Sequence, residues 1–162
     1  MTNLTAWLEA TALAAWVRES PSLWAYPTVL TLHTVGLGIV VGASAVVDLR
    51  LLGFGRKLRI GGLAPLFPLM AWAFVLNAVS GLLLFIADAT IKSGQWIFYA
   101  KLTLIFIALW VTFATRRIVL DNPLSAPDDH IPANGTRLAL ASMVLWAAAI
   151  TAGRFMAYIG VP

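Results

Sequence analysis

Apolar positions gather into four runs, about 28–47, 63–87, 96–114 and 138–159, and nearly all the charge falls between them. Crossing ~30 Å of hydrocarbon at ~1.5 Å per residue takes about 20 mainly apolar residues in a helix. Each run meets that length, so the pattern predicts four transmembrane helices. The first, Thr28 to Val47, is uncharged and interrupted only by His33. Ahead of it, residues 3–18 mix Leu4, Trp7, Leu8 and Trp16 with Glu9, Thr11 and Arg18, too short and too polar a stretch to span. That mixture predicts an amphipathic helix lying in the membrane interface. It has neither the basic start nor the small-residue cleavage site of a signal peptide, so Met1 is expected to stay. Ser20-Pro21 breaks it, and Trp24, Tyr26 and Pro27 read as an aromatic anchor at the head of span one.

Composition agrees with the pattern. Of 162 residues, 60% are hydrophobic and 11% charged, against about 45–50% and about 25% in soluble domains. The expected fold is therefore one all-α integral membrane domain over residues 1–162, a four-helix transmembrane bundle preceded by the interfacial helix. The absence of cysteine excludes a disulfide scaffold and a thiolate metal site. The pI is near 10, yet the basic residues form no single patch, so nucleic acid is not an expected partner. They do have a side. Arg50, Arg56, Lys57 and Arg59 lie between spans one and two, and Arg116, Arg117 and Arg137 between spans three and four. The other side has only Arg18 and Lys92 outside the spans. Basic short loops stay cytoplasmic, which puts both termini on the non-cytoplasmic face. Residues 121–134, with Pro123, Pro127 and Pro132 leading to Gly135, read as a solvated connection in which His130 is exposed beside Asp128 and Asp129.

Ionisable groups at membrane depth are costly and mark candidate sites. His33 lies five residues into span one, about 7–8 Å below its outer end, on a face shared with Leu37, Val40, Ser44 and Asp48. Gly36 is expected to leave a gap one turn along, where a flat ring could lie. Lys101 lies five residues into span three and Arg154 five before the end of span four. Alternate spans run in opposite directions, so the three nitrogenous groups share one level, with Tyr26, Asp88, Tyr99 and Tyr158 near the same surface. Span two carries Asn77, Ser80, Gly81, Leu84 and Asp88 on one stripe, expected to face the bundle. Gly38 and Gly42 form a small-residue pair turned away from His33, and Ala149 and Gly153 form another. The chain has no GxSxG, GxxxxGK[ST], HExxH or CxxC motif, so no hydrolytic, phosphate-handling or thiol enzyme is indicated.

Tyr26-Pro27, Leu32-His33-Thr34-Val35-Gly36, the run Val47-Asp48-Leu49-Arg50-Leu51-Leu52-Gly53 and the ending from Trp146 through Gly153-Arg154-Phe155-Met156-Ala157-Tyr158 resemble a family of small uncharacterised bacterial four-helix membrane proteins. That resemblance implies a bacterial inner-membrane location. Members often have a second histidine late in span three, where this chain has Thr115. Ser80-Gly81-Leu82-Leu83, then Tyr99-Ala100-Lys101-Leu102 and a helix ending in Arg116-Arg117, are more distantly similar to the copper-resistance D membrane domain and related haem or copper proteins. This second likeness implies His33 and Lys101 as candidates.

Two functions are expected from these residues. One is a b-type haem or related redox site near the outer face serving electron transfer, with His33 as metal ligand, Lys101 and Arg154 as partners for haem propionates, and Gly36 and Tyr158 beside them. Met156 is the thioether at matching depth. The alternative is a structural or accessory subunit of a membrane assembly or homo-oligomer, held by small-residue faces and without a cofactor.

Overall fold

The computed structural model describes residues 2–122 and 129–159. Met1, Pro123, Pro127 and Asp128, which entered the readings above, lie outside the described residues. Seven helices follow in order among them: α1 (Thr2–Glu9), α2 (Ala12–Glu19), α3 (Tyr26–Leu51), α4 (Leu66–Ala87), α5 (Ala89–Gly94), α6 (Trp96–Leu120) and α7 (Gly135–Ile159), with a 3-10 turn at Ile60–Leu63 before α4. No strand occurs among the described residues. Four helices, α3, α4, α6 and α7, are long and apolar enough to cross a membrane. The fold is an all-α bundle of the kind the hydropathy predicts.

The expected interfacial helix is two helices, because Thr11 interrupts it. Its hydroxyl donates to Leu8 O at 2.7 Å, closing α1, and accepts from Ala14 N at 3.3 Å, capping α2. An N-cap of this kind is worth about 1 kcal/mol. Ala14 and Val17 are fully buried, so α2 presses its apolar face onto α4 while α1 lies over α4 and α5. Glu9 accepts from Thr90 N at 2.8 Å and from Thr90 Oγ1 at 2.9 Å, tying α1 to the first turn of α5. Arg18 donates to Ala87 O at 3.0 Å, and Lys92 to Leu84 O, so two cations cover the free carbonyls ending α4. This is the amphipathic end of the bundle.

The opposite, basic end is closed by α3's C-terminus. Gly53 N donates to Arg50 O and Phe54 N to Leu49 O, with Gly53 at φ +95. That is a Schellman cap, and the left-handed backbone there needs glycine. Arg50, 6% exposed, donates to Leu58 O and to Asp129, both at 2.6 Å. Asp129 also receives Ile60 N, so one buried ion pair fastens the α3–α4 connection to the segment before α7. Asn122 donates to Ile118 O and His130 O, and His130 N donates back to Asn122 Oδ1.

Across the membrane-spanning layer, α3 packs on α4 and α7, and α7 packs on α6. By contrast, α4 and α6 scarcely approach one another. Val47, Leu51, Ile60, Phe67, Met70, Val119 and Ala139 form the core at the basic end. Val40, Ala73, Ala108 and Trp146 form a second apolar layer nearer the middle. Near the amphipathic end Phe85 of α4 and Phe98 of α6 stack, centroids 5.1 Å apart.

Candidate functional site

The site grows out of the close approach of α3 and α4. A Cβ at Gly36 would stand 2.9 Å from Ala73 O and 3.0 Å from Asn77 N, so the backbone of α4 rests directly on this glycine. The open slot expected over Gly36 is therefore filled by backbone. Glycine is needed there because the two helices touch, not because a ring lies between them.

That contact carries His33 across α4. Its Nδ1 is 2.9 Å from Asn77 O. A carbonyl only accepts, so Nδ1 bears the hydrogen and donates. The Asn77 amide returns a bond to His33 O at 2.7 Å and lies 3.2 Å from Nδ1. Ser80 Oγ is 3.4 Å from Nδ1 and spends its hydrogen on Leu76 O and Asn77 O. The ring is seated on Gly81, where a Cβ would come within 2.9 Å of Cε1 and 3.2 Å of Nδ1. With Nδ1 committed, the neutral ring keeps its lone pair on Nε2, which no described residue contacts by a hydrogen bond. A histidine oriented through one nitrogen and open at the other has the arrangement of a metal ligand.

Lys101 enters the same end from α6. Its aliphatic chain runs along Gly153 of α7, whose Cβ would lie 3.5 Å from Cε and 3.6 Å from Nζ. Among the described residues no carboxylate pairs with it. Lys92, in contrast, bonds Asp88 at 3.0 Å. Of the five candidate residues, His33 on α3 and Lys101 on α6 are half-buried, and no hydrogen bond joins them. Arg154 and Tyr158 are exposed on the surface of α7, the tyrosine 74% so, and neither bonds to His33 or Lys101. Met156 is partly buried one turn from Ala152.

The donor set suits a haem in its chemistry: one neutral imidazole with a free Nε2, and one ammonium for a carboxylate. An open groove of about 560 Å³ runs between Trp96, Ala100, Ala148, Ala152 and Phe155, but it includes neither His33 nor Lys101. Among the described residues no three His, Asp or Glu side chains gather as a metal cluster. Thr115, standing where the resembled family often has histidine, is 2% exposed and donates to Thr112 O.

Hydropathy alone picked out His33 and Lys101 by their rarity. It missed that Asn77 O orients the ring and that Gly81 seats it, although both stood on the polar stripe of span two. It also missed a three-residue polar cluster, Ser44, Asp48 and Ser142. The available signal was Asp48 itself, an acidic residue one turn from a serine near the end of an apolar run. Compared with known protein families, curated proteins and solved structures, the chain matches none.

Proposed function

We propose that this protein holds a b-type haem, or a related redox cofactor, through His33 at the amphipathic end of the bundle, and that it serves electron transfer in a bacterial inner membrane. The observation that carries the reading is the His33–Asn77 bond, 2.9 Å from ring nitrogen to carbonyl, which leaves Nε2 as the free ligand atom. Haem, when bound, supplies the one-electron chemistry. The chain's part is to keep the imidazole neutral and oriented, to offer the Lys101 ammonium to a propionate, and to hold both in an apolar surround. The basic end, with Arg50, Arg56, Arg59, Arg116, Arg117 and Arg137, faces the cytoplasm in this reading.

An absorption spectrum of the purified protein, oxidised and reduced, with and without added haemin, tests it. A Soret band that His33→Ala abolishes is expected, with helicity by circular dichroism unchanged. Gly81→Ala keeps the imidazole but crowds it, and should weaken haem binding. Lys101→Ala should weaken it about tenfold, as loss of one charge-assisted bond does. Protein that stays colourless and takes up no haemin overturns the assignment.

A second reading, an accessory subunit or homo-oligomer, has its own observation. Gly38 and Gly42 meet nothing within 4 Å, and Val35, Ile39, Val46 and Leu49 around them are exposed. This face of α3 is smooth and unpacked within the chain, as helix association in lipid favours. Native mass measurement in mild detergent tests it, and a stable monomer with no partner counts against it.

A further inference from the structure

The outward side of α6 carries aromatic and basic residues in one stripe. Trp110, Phe113, Ala114 and Arg117 recur at i, i+3, i+4 and i+7, opposite the buried stripe of Ala108, Val111, Thr115 and Ile118. With Leu109 they line an open notch of about 370 Å³. Trp110 and Phe113 are 71% and 59% exposed, so this face is not packed within the chain. Depth decides what meets it. Counted from Trp96, ~30 Å of hydrocarbon takes about 20 residues and ends near Thr115. Arg116 and Arg117 follow at once, at the level of lipid phosphates, while Phe113 and Trp110 lie one and two turns deeper, at the level of acyl chains. The stripe is apolar where a phospholipid is apolar and cationic where a phospholipid carries its charge.

These cations are not spent on the protein. Arg116 Cζ stands 5.8 Å from the centroid of the Phe113 ring, a cation–π contact that holds the guanidinium beside the notch and leaves its N–H groups to donate. Arg18, Arg50 and Lys92 bond Ala87 O, Leu58 O and Leu84 O. Among the described residues, neither Arg116 nor Arg117 donates to a carbonyl or pairs with a carboxylate. Asp121, four residues beyond Arg117, is exposed and pairs with neither, and Asp129 is held by Arg50. Two guanidinium charges beside one phosphodiester leave a positive charge over, so a headgroup without an ammonium of its own is the better complement. The larger groove between Trp96 and Phe155 also has apolar walls but no charged residue in them, and so gives a headgroup no anchor.

We propose that this stripe of α6 is a binding site for an anionic phospholipid, with the phosphate held by Arg116 and Arg117 and one acyl chain lying along Phe113, Ala114 and Trp110. It uses no residue of the His33 region and stands or falls independently of any cofactor there.

Native mass spectrometry of the full chain in detergent, titrated with phosphatidylglycerol or with phosphatidylcholine of the same acyl chains, tests the proposal. The wild type is expected to retain phosphatidylglycerol in preference to phosphatidylcholine. An arginine near the lipid surface contributes about fivefold in affinity for an anionic lipid, so Arg116→Gln together with Arg117→Gln should weaken phosphatidylglycerol binding about 25-fold and abolish the preference. Both positions are exposed, and helicity by circular dichroism should be unchanged. Trp110→Ala should weaken both lipids and keep the preference. Arg56→Gln together with Lys57→Gln removes two exposed cations outside the notch and should leave both affinities as they were. Equal retention of the two lipids by the wild type overturns the proposal. So does a preference that survives the loss of Arg116 and Arg117, one that the loss of Arg56 and Lys57 reduces equally, or a Trp110→Ala variant that binds both lipids as the wild type does.

Discussion

The two ends of the bundle treat their polar groups in opposite ways. At the basic end the buried donors Arg50 and Asn122 are consumed: Arg50 on Leu58 O and Asp129, Asn122 on Ile118 O and His130 O. At the amphipathic end His33 keeps an unspent Nε2, and Lys101 has no carboxylate beside it among the described residues. Satisfied polar groups at membrane depth hold architecture together, whereas unsatisfied ones there impose a cost that a bound group can relieve. The contrast between Arg50 and Lys101, rather than the mere presence of charge, separates scaffold from site.

The largest effect is expected from Arg50→Ala. It strands Asp129, 17% exposed at the side chain and left with Arg59 at 4.0 Å, and should cost about 3–5 kcal/mol, read as loss of helicity during denaturation from mixed micelles. A loss under about 1 kcal/mol would erase the distinction between the ends. Next comes the pair Gly36→Ala and Gly38→Ala. The first drives a methyl against the α4 backbone and should cost about 1–3 kcal/mol. The second meets nothing and should be neutral, or stabilising by up to about 1 kcal/mol. Equal losses in the same assay would contradict the α3–α4 contact.

Lys101→Met should leave stability unchanged or raise it by about 1 kcal/mol, because it removes an uncompensated ammonium while keeping the chain that lies on Gly153. If it destabilises as much as R50A, Lys101 is scaffold. The smallest effect belongs to Trp146→Phe. Trp146 is 3% exposed and its Nε1 has no acceptor among the described residues. Losing that orphan donor should nearly offset the lost ring volume, leaving a change of about 1 kcal/mol or less. A larger loss would mean the indole N–H has a partner that matters.

Legibility from the sequence followed depth. All four spans were readable because hydrocarbon thickness sets a length, and alternating direction put His33 and Lys101 near one end. The ends of elements were harder. Span one runs to Leu51, beyond the expected Val47: Asp48 and Arg50 are both buried, and Arg50 is paired with Asp129, remote in sequence. Thr11 divided the first helix, and α5 escaped notice because six residues with Lys92, Ser93 and Gly94 look like loop.

What remained hidden was rotation. A residue's number along a helix gives its depth, but which neighbour it faces depends on how the helix is turned, and only packing decides that. Gly36, Gly38 and Gly81 are equivalent as letters. The structure gives them three fates: pressed against α4 backbone, left open, and seated under an imidazole. In the same way Arg154, reckoned from the sequence at His33's depth, is exposed, while Ser142, 98 positions from Ser44, meets it with 3.2 Å between the hydroxyl oxygens. The sequence by itself determined that this chain carries four helices long and apolar enough to cross a membrane, because transfer of apolar residues into hydrocarbon is additive and local. Tertiary structure alone decided which polar atoms are spent and which stay free, because a hydrogen bond depends on the position and angle of two groups that the chain brings together only on folding.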